Sequence, residues 1–337
     1  MNKPIYKLRE WIDIKASSFN NQQSWNYLSM NKNAIWLLKE NPDKINWTAL
    51  SINPNALELL EKNLDKVEWY YLSSNPCAIT IIRKNLDKIN WNYLCLNPNP
   101  EAIKILEEYP DKIHWGHLSK NPNAYDLIKE NLDKIDWYNI CHNSNPMITR
   151  LLRKNKNKIN WSILSSNSNE EAISLIEENL SNIDWYNLSS NTNTKAIKLL
   201  KKNPDKINWN YLCSNSNPEV ITMLKENPDK INWRYLSINP NINLILKDIR
   251  NQMDINKSDI NWFLLSLNPG GIEIIEKHKS KINSIILKNP EIFILDYNKM
   301  KENFLDMDEE ILKKVLHPKR VLYNLITYNY DIDDMFI

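Results

Sequence analysis

Residues 41–69 read NPDKINWTALSINPNALELLEKNLDKVEW. The phrase NPDKINW, ending at Trp47, returns as NLDKVEW, ending at Trp69, 22 residues later. Followed outward, the tryptophan recurs at 25, 47, 69, 91, 115, 137, 161, 185, 209, 233 and 262. The successive intervals are 22, 22, 22, 24, 22, 24, 24, 24, 24 and 29 residues. A fixed period in the twenties marks a solenoid or array. A twelfth, degraded copy, KINSIILKNPEIFI, carries Ser284 where the tryptophan is expected, 22 residues after Trp262.

The repeated phrase is N-W-x-x-L-S-x-N-P-N-A-I-x-L-L-x-x-N-P-D-K-I, and each part has a mechanical reading. Asn or Asp before the tryptophan (Asn46, Asn90, Asp136, Asn160, Asp184, Asn208) suits a helix N-cap. Trp, Leu and Ser then fall on one helical face. Asn-Pro follows: the residue before proline avoids the α region, and proline suits the first helical position. Asn53 is therefore expected to end one short helix and cap the next. In that second helix Ala56, Leu57, Leu59 and Leu60 have helical rather than strand spacing. Asn63 is expected in the left-handed position after it. The two-residue insertions of the longer copies fall between the helices, where each helix keeps its own phase.

Neither helix reaches the ~12–15 residues an isolated helix needs in water, so stacking on neighbours must supply the stability. The expected fold is all-α: an α-solenoid of eleven to twelve 22–24-residue two-helix repeats with helical caps at both ends. At about 8–10 Å between packed helices, it would be a curved body on the order of 100 Å long. The rival leucine-rich pattern fits Trp47, Leu50, Ile52, Asn55 and Leu57, but the other copies break it at Ser74, Lys120 and Ser166.

The expected organisation is a cap over 1–24, repeats over 25–289 with an irregular bend near 247–260, and a C-terminal cap or docking segment over 290–337. YKLREWI fits a capping helix with Leu8, Trp11 and Ile12 inward, and DEEILKKVLHPKRVLYNLI fits two helices broken at Pro318.

Composition narrows the function classes. The 43 basic and 41 acidic residues nearly cancel, which argues against a nucleic-acid or anionic-membrane partner. The only glycines are Gly116, Gly270 and Gly271, so no glycine-rich phosphate loop can form. The first residues contain no apolar signal region, and no apolar run suggests a transmembrane helix. The N-x-[ST] triplets at Asn46, Asn160, Asn187 and Asn256 read as chance in an Asn-rich chain.

The phrase LSxNPNAIxLLxxNPDKINW, as in LSSNPCAITIIRKNLDKINW, resembles tandem-repeat proteins encoded by large nucleocytoplasmic DNA viruses. The head YKLREWI and the tail HPKRVLYNLITYNYDIDDM are similar to theirs too. The resemblance implies an intracellular protein of the host cytoplasm during infection, or one packaged in the virion. It implies no settled biochemical activity.

Residues with chemical potential have structural readings. Cys95, Cys141 and Cys213 replace the serine after leucine, in separate repeats, and Cys77 replaces the second asparagine of NPN. His114, His117, Cys141 and His142 have zinc-ligand chemistry but spacings that do not converge. The recurring Asp-Lys pair, as in Asp43-Lys44 and Asp65-Lys66, reads as exposed charge or capping of the connecting turn. No catalytic, cofactor or metal site is expected.

One variable position suits recognition. The second residue after tryptophan lies about 200° round the helix, away from the tryptophan and leucine. It is Tyr27, Tyr71, Tyr93, His117, Asn139, Asn187, Tyr211 and Tyr235 in eight of the copies. Tyrosine offers contact area at low entropic cost, and asparagine adds hydrogen bonds. The expected function is a non-enzymatic, protein-binding scaffold or adapter, with self-association possible through the ends. The alternatives are a structural virion component or a single-stranded RNA reader stacking bases on its aromatic row.

Overall fold

The computed structural model describes residues 5–16, 21–249 and 260–300. Two compact units are distinguished: the repeats, within Trp11–Ile292, and a smaller unit of Met1–Glu10 with Phe293–Ile337. The repeat unit is an all-α helical solenoid, with neighbouring helices packing in sequence order.

Most first helices start at the tryptophan, as in Trp47–Ile52 and Trp161–Ser166; the first repeat's starts at Gln22 and the sixth's at Asn139. The preceding side chain caps it: Asn46 accepts the Ala49 N–H at 2.8 Å, and Asn160 accepts that of Ile163 at 3.0 Å. The helix ends where Asn-Pro forces extended backbone, with Asn53 at ψ 117°.

The second helix comes in two lengths. In 22-residue copies it spans five or six residues, as in Leu57–Glu61 and Tyr125–Glu130. In 24-residue copies it spans eight or nine, as in Pro100–Glu108 and Glu170–Glu177. The insertion therefore lengthens the helix at its start: in the longer copies the second asparagine, such as Asn99, becomes a full N-cap accepting the Glu101 N–H at 2.9 Å. The asparagine after the helix does not take the left-handed conformation expected of Asn63. The equivalent Asn41 and Asn131 have φ −132° and −131°. Their amides, and that of Asn63, instead donate to the carbonyl four residues back, supplying the acceptor's missing partner from a side chain.

The asparagine of Asn-Pro joins successive repeats. Asn53 Nδ2 donates to Ser29 O at 3.0 Å and to Asn31 O at 3.1 Å. The same double bond is made by Asn75, Asn97, Asn121, Asn143, Asn167, Asn191, Asn215, Asn239, Asn268 and Asn289, each to the repeat before it. All of these amides are buried, so each carbonyl pair they serve would otherwise be costly.

The ladder closes on itself. Asn31, in the first repeat, donates to Leu287 O at 2.9 Å and Asn289 O at 3.0 Å, in the last. Asn33 donates to Pro290 O at 3.2 Å, and the Lys288 ammonium lies 5.5 Å from the Tyr27 ring centre. The repeat unit is thus a closed series of twelve repeats, not an extended body with two ends, and the ends offered for self-association are taken up by each other. The ladder also bears on the register of the last copy. Counted back from Asn289, which follows Asn268 by 21 residues, the tryptophan's place falls on Asn283. Counted from the helix start, which Asn283 caps, it falls on Ser284, so this helix is one residue shorter than six-residue first helices such as Trp47–Ile52.

A second ladder uses the serine after leucine. Ser51 Oγ donates to Trp47 O at 2.8 Å and accepts the Glu68 N–H of the next repeat at 3.0 Å. Ser73, Ser119, Ser165, Ser189 and Ser237 accept in the same way. Leu and Ala complete the core: Leu50, Leu72, Leu94, Ala56 and Ala102 are fully buried.

In the smaller unit, β1 (Tyr6–Leu8) pairs antiparallel with β2 (Phe293–Leu295), Tyr6 opposite Leu295 and Leu8 opposite Phe293. The expected N-terminal capping helix is therefore wrong: its start is a strand, whose backbone groups are taken by a partner at the far end of the chain. Ile12, in the repeat unit, is buried as expected. Most of the expected bend, residues 250–259, and the helices expected around Pro318 lie outside the described residues. No helix among the described residues is long and apolar enough to cross a membrane.

Candidate binding face

The eight residues singled out from the sequence lie on the first helices and are half-buried. Several rest against the preceding repeat, at the residue that directly follows its tryptophan. Asn187 Nδ2 donates to Ser162 O at 3.1 Å and Ser162 Oγ at 2.8 Å. The His117 Nδ1 lies 3.0 Å from Asn92 O. The rings of Tyr93 and Tyr70 are 3.8 Å apart, those of Tyr211 and Tyr186 are 4.1 Å apart, and in both pairs the hydroxyls are hydrogen-bonded. These bonds push the pKa values of Tyr70 and Tyr211 up, so both stay protonated and neutral. Tyr235 stands 5.7 Å from the Tyr211 ring and Tyr71 5.1 Å from that of Tyr70. Tyr27 meets Lys288, and Asn139 bonds its own cap, Asp136, at 3.0 Å.

The structure therefore makes one face from two rows, and the more exposed row escaped the sequence reading. It is the residue directly after tryptophan: Tyr70, Tyr138, Tyr186 and Phe263 are 38, 59, 49 and 51% exposed. The signal was available, since that position lies about 100° from the tryptophan and on the far side from the leucine.

The Asp-Lys turn has a defined role beside this face. Four copies form a short 3-10 turn, as at Pro42–Lys44, and the others, such as Asp65-Lys66, a plain turn. In several copies its lysine reaches over the tryptophan of the preceding repeat: Lys44 over Trp25 at 4.9 Å, Lys66 over Trp47 at 5.1 Å and Lys134 over Trp115 at 5.3 Å, as does Lys158, which follows Asn157, over Trp137 at 4.4 Å. A cation over an indole face is attracted by its quadrupole, so the lysine covers the tryptophan ring.

The cysteines take the serine's place in the ladder. The sulfurs of Cys95, Cys141 and Cys213 accept the N–H of His114, Asn160 and Asn232. Burial pushes all three thiols up, away from the reactive thiolate. His114 is an N-cap: its Nδ1 accepts the His117 N–H at 3.2 Å, with the two rings 4.3 Å apart. Burial and the charge of Lys120 lower the basicity of His142. Among the described residues, no group of three or more His, Cys, Asp and Glu side chains is placed to hold a metal ion.

No family model, curated protein or solved structure matches the chain.

Proposed function

We propose that the chain is a non-enzymatic scaffold or adapter that binds protein through the face of its first helices. In keeping with the resemblance of its repeats, it would be the product of a large DNA virus, acting in the host cytoplasm or carried in the virion. The observation that carries this reading is a division of labour within each repeat. The Asn of Asn-Pro and the Ser or Cys after leucine are consumed in joining repeats, while the residue directly after tryptophan changes from copy to copy among Asn, Thr, Tyr, Gly, Ser, Arg and Phe. A surface that varies on a constant frame is what recognition requires. Tyrosines already held by neighbours, such as Tyr93 against Tyr70, would lose little freedom on binding.

The test is capture of partners from infected cells by the tagged chain and by a Tyr70→Ala/Tyr186→Ala variant, with and without nuclease. The reading predicts a nuclease-resistant protein partner that the variant fails to retain. Retention by both forms, or loss on nuclease treatment, would count against it.

A further inference from the structure

A closed series of two-helix repeats has an inner and an outer circumference. The bonds between repeats say which helices occupy the shorter one. Neighbouring first helices are joined by short side chains reaching backbone: Asn143 Nδ2 to Asn121 O at 2.9 Å, and Ser119 Oγ to the Asp136 N–H at 3.0 Å. Neighbouring second helices are joined by short side chains only at their starts, as by Asn99 Nδ2 to Pro76 O at 2.8 Å, and along their length by long ones: Lys39 to Glu58 at 2.6 Å, Arg83 to Glu108 at 2.7 Å, Arg153 to Glu178 at 2.8 Å. With equal numbers in each row, the more closely spaced row has the smaller radius. The first helices are the inner row, and their solvent-facing side, opposite the buried Leu and Ser, is the inner wall.

That wall has an unusual composition. Its solvent side comprises the first, second and fifth residues after each tryptophan or its equivalent. Across the twelve repeats these positions hold no aspartate or glutamate, and their charged residues are Lys120, Arg234 and Lys288, although a quarter of the whole chain is charged. Eight of the chain's 15 tyrosines are there. Depletion of charge with enrichment in tyrosine is the composition of the core of a protein–protein interface. Three cations are too few to follow the phosphates of a nucleic acid. Twelve helices at 8–10 Å spacing enclose, after side chains, a bore of roughly 20 Å, wide enough for one extended or helical segment but too narrow for a folded domain.

We propose that the inner wall of the closed series binds a polypeptide segment whose contacting surface is neutral or acidic. This rests on the protein-binding reading above and adds the place and the chemistry. Positive segments are disfavoured because the wall positions carry no carboxylate, and the nearest ones, Asp136 and Asp184, are already hydrogen-bonded to Asn139 and to Ser162 and Asn187.

The experiment is selection of displayed random 20-residue peptides on the immobilised full chain. Enriched peptides are then measured against three forms: the unaltered chain, Tyr70→Ala/Tyr186→Ala on the inner wall, and Lys39→Ser/Lys201→Ser on the second helices. A labelled oligouridine is measured in parallel. The expected result is enriched peptides poor in Lys and Arg, bound at least tenfold more weakly by the inner variant and equally well by the outer one. Peptides whose binding falls with the outer variant alone, or Lys- and Arg-rich peptides, would overturn the inner wall's role while leaving protein binding standing. No enriched peptide, or oligouridine binding that depends on Tyr70 and Tyr186, would overturn both.

Discussion

The side-chain amide of Asn31 donates to the carbonyl of Asn289 at 3.0 Å, joining the first repeat to the last. Its geometry is that of every other rung: Asn53 meets Asn31 at 3.1 Å, and Asn289 meets Asn268 at 3.0 Å. The same side-chain amide that stacks consecutive repeats also closes the series, across the only junction without a connecting chain.

Removing a rung from the middle of the ladder orphans a buried carbonyl: without Asn143, Ser119 O loses its donor, while Asn121 O keeps the Ala124 N–H at 3.2 Å. Asn143 serves Ser119 O and Asn121 O. Asn143→Ala should therefore destabilise the chain by about 1–3 kcal/mol, the cost of one orphaned buried group. Urea denaturation measures it. A loss below about 0.5 kcal/mol would mean that the ladder contributes little.

One position lacks a rung that its neighbours have. The second asparagine of NPN donates to the preceding repeat, as Asn55 does to Lys32 O at 2.9 Å and Asn99 to Pro76 O at 2.8 Å. Cys77 stands in that place and is exposed. Cys77→Asn should add a bond to Pro54 O and stabilise by about 0.5–1 kcal/mol, read as a higher urea midpoint.

Thiol reactivity should divide the same way. Cys77 should alkylate readily at neutral pH in the native protein. Cys95, Cys141 and Cys213, buried and with their thiols pushed up, should react only on unfolding. Mass spectrometry after iodoacetamide treatment distinguishes the four sites.

Gly270 and Gly271 replace the Asn-Ala of other copies because the backbone passes too close for a side chain. A Cβ on Gly270 would lie 1.9 Å from Pro240 O, and one on Gly271 2.5 Å from a Leu265 methyl. Gly270→Ala meets backbone at the shorter distance and should cost about 1–3 kcal/mol, more than Gly271→Ala, which meets the Leu265 side chain and, at 2.9 Å, its carbonyl oxygen. Thermal denaturation of the two variants gives the order.

Glu58 reports acid sensitivity at the first junction. Hydrogen bonds from Lys39 and Lys62 lower its pKa from 4.5 to about 2. Because the folded value is the lower one, the carboxylate's contribution is present above pH 4.5 and is lost as pH falls towards 2. A carbon-13 titration of the Glu58 carboxyl should show a midpoint near 2. A midpoint near 4.5 in the native protein would show the two lysines disengaged.

How much of this was legible before the structure follows the range of each interaction. The N-cap at Asn46, the break at Asn53-Pro54 and the buried Leu50 are local, and they follow from backbone sterics and helical spacing. Closure is different in kind. It depends on a small rotation accumulated over every repeat, and no single residue carries it: Asn31 reads as Asn53 does. The strand at Tyr6–Leu8 was hidden because its partner, Phe293–Leu295, lies at the other end of the chain. The lengthening of the second helix in 24-residue copies was misread because an insertion beside Asn-Pro looks like loop until the second asparagine, such as Asn99, is seen to cap it. The candidate face was half legible: the second residue after tryptophan was recognised, but the reading missed that Tyr93 is partly covered by Tyr70 and that Tyr70's own row is the more exposed.

The central claim is closure, and a distance measurement tests it most directly. Spin labels would be placed at Gln23→Cys, beside the first helix of repeat one, and Lys281→Cys, just before that of repeat twelve, in a Cys77→Ser background. Pulsed electron resonance reads the separation in frozen solution. A closed series predicts labels on adjoining helices, packed about 8–10 Å apart, and hence a short distance of roughly 20 Å with the label arms. A distance on the order of 100 Å, that of an open stack of twelve helices at the same spacing, would contradict it.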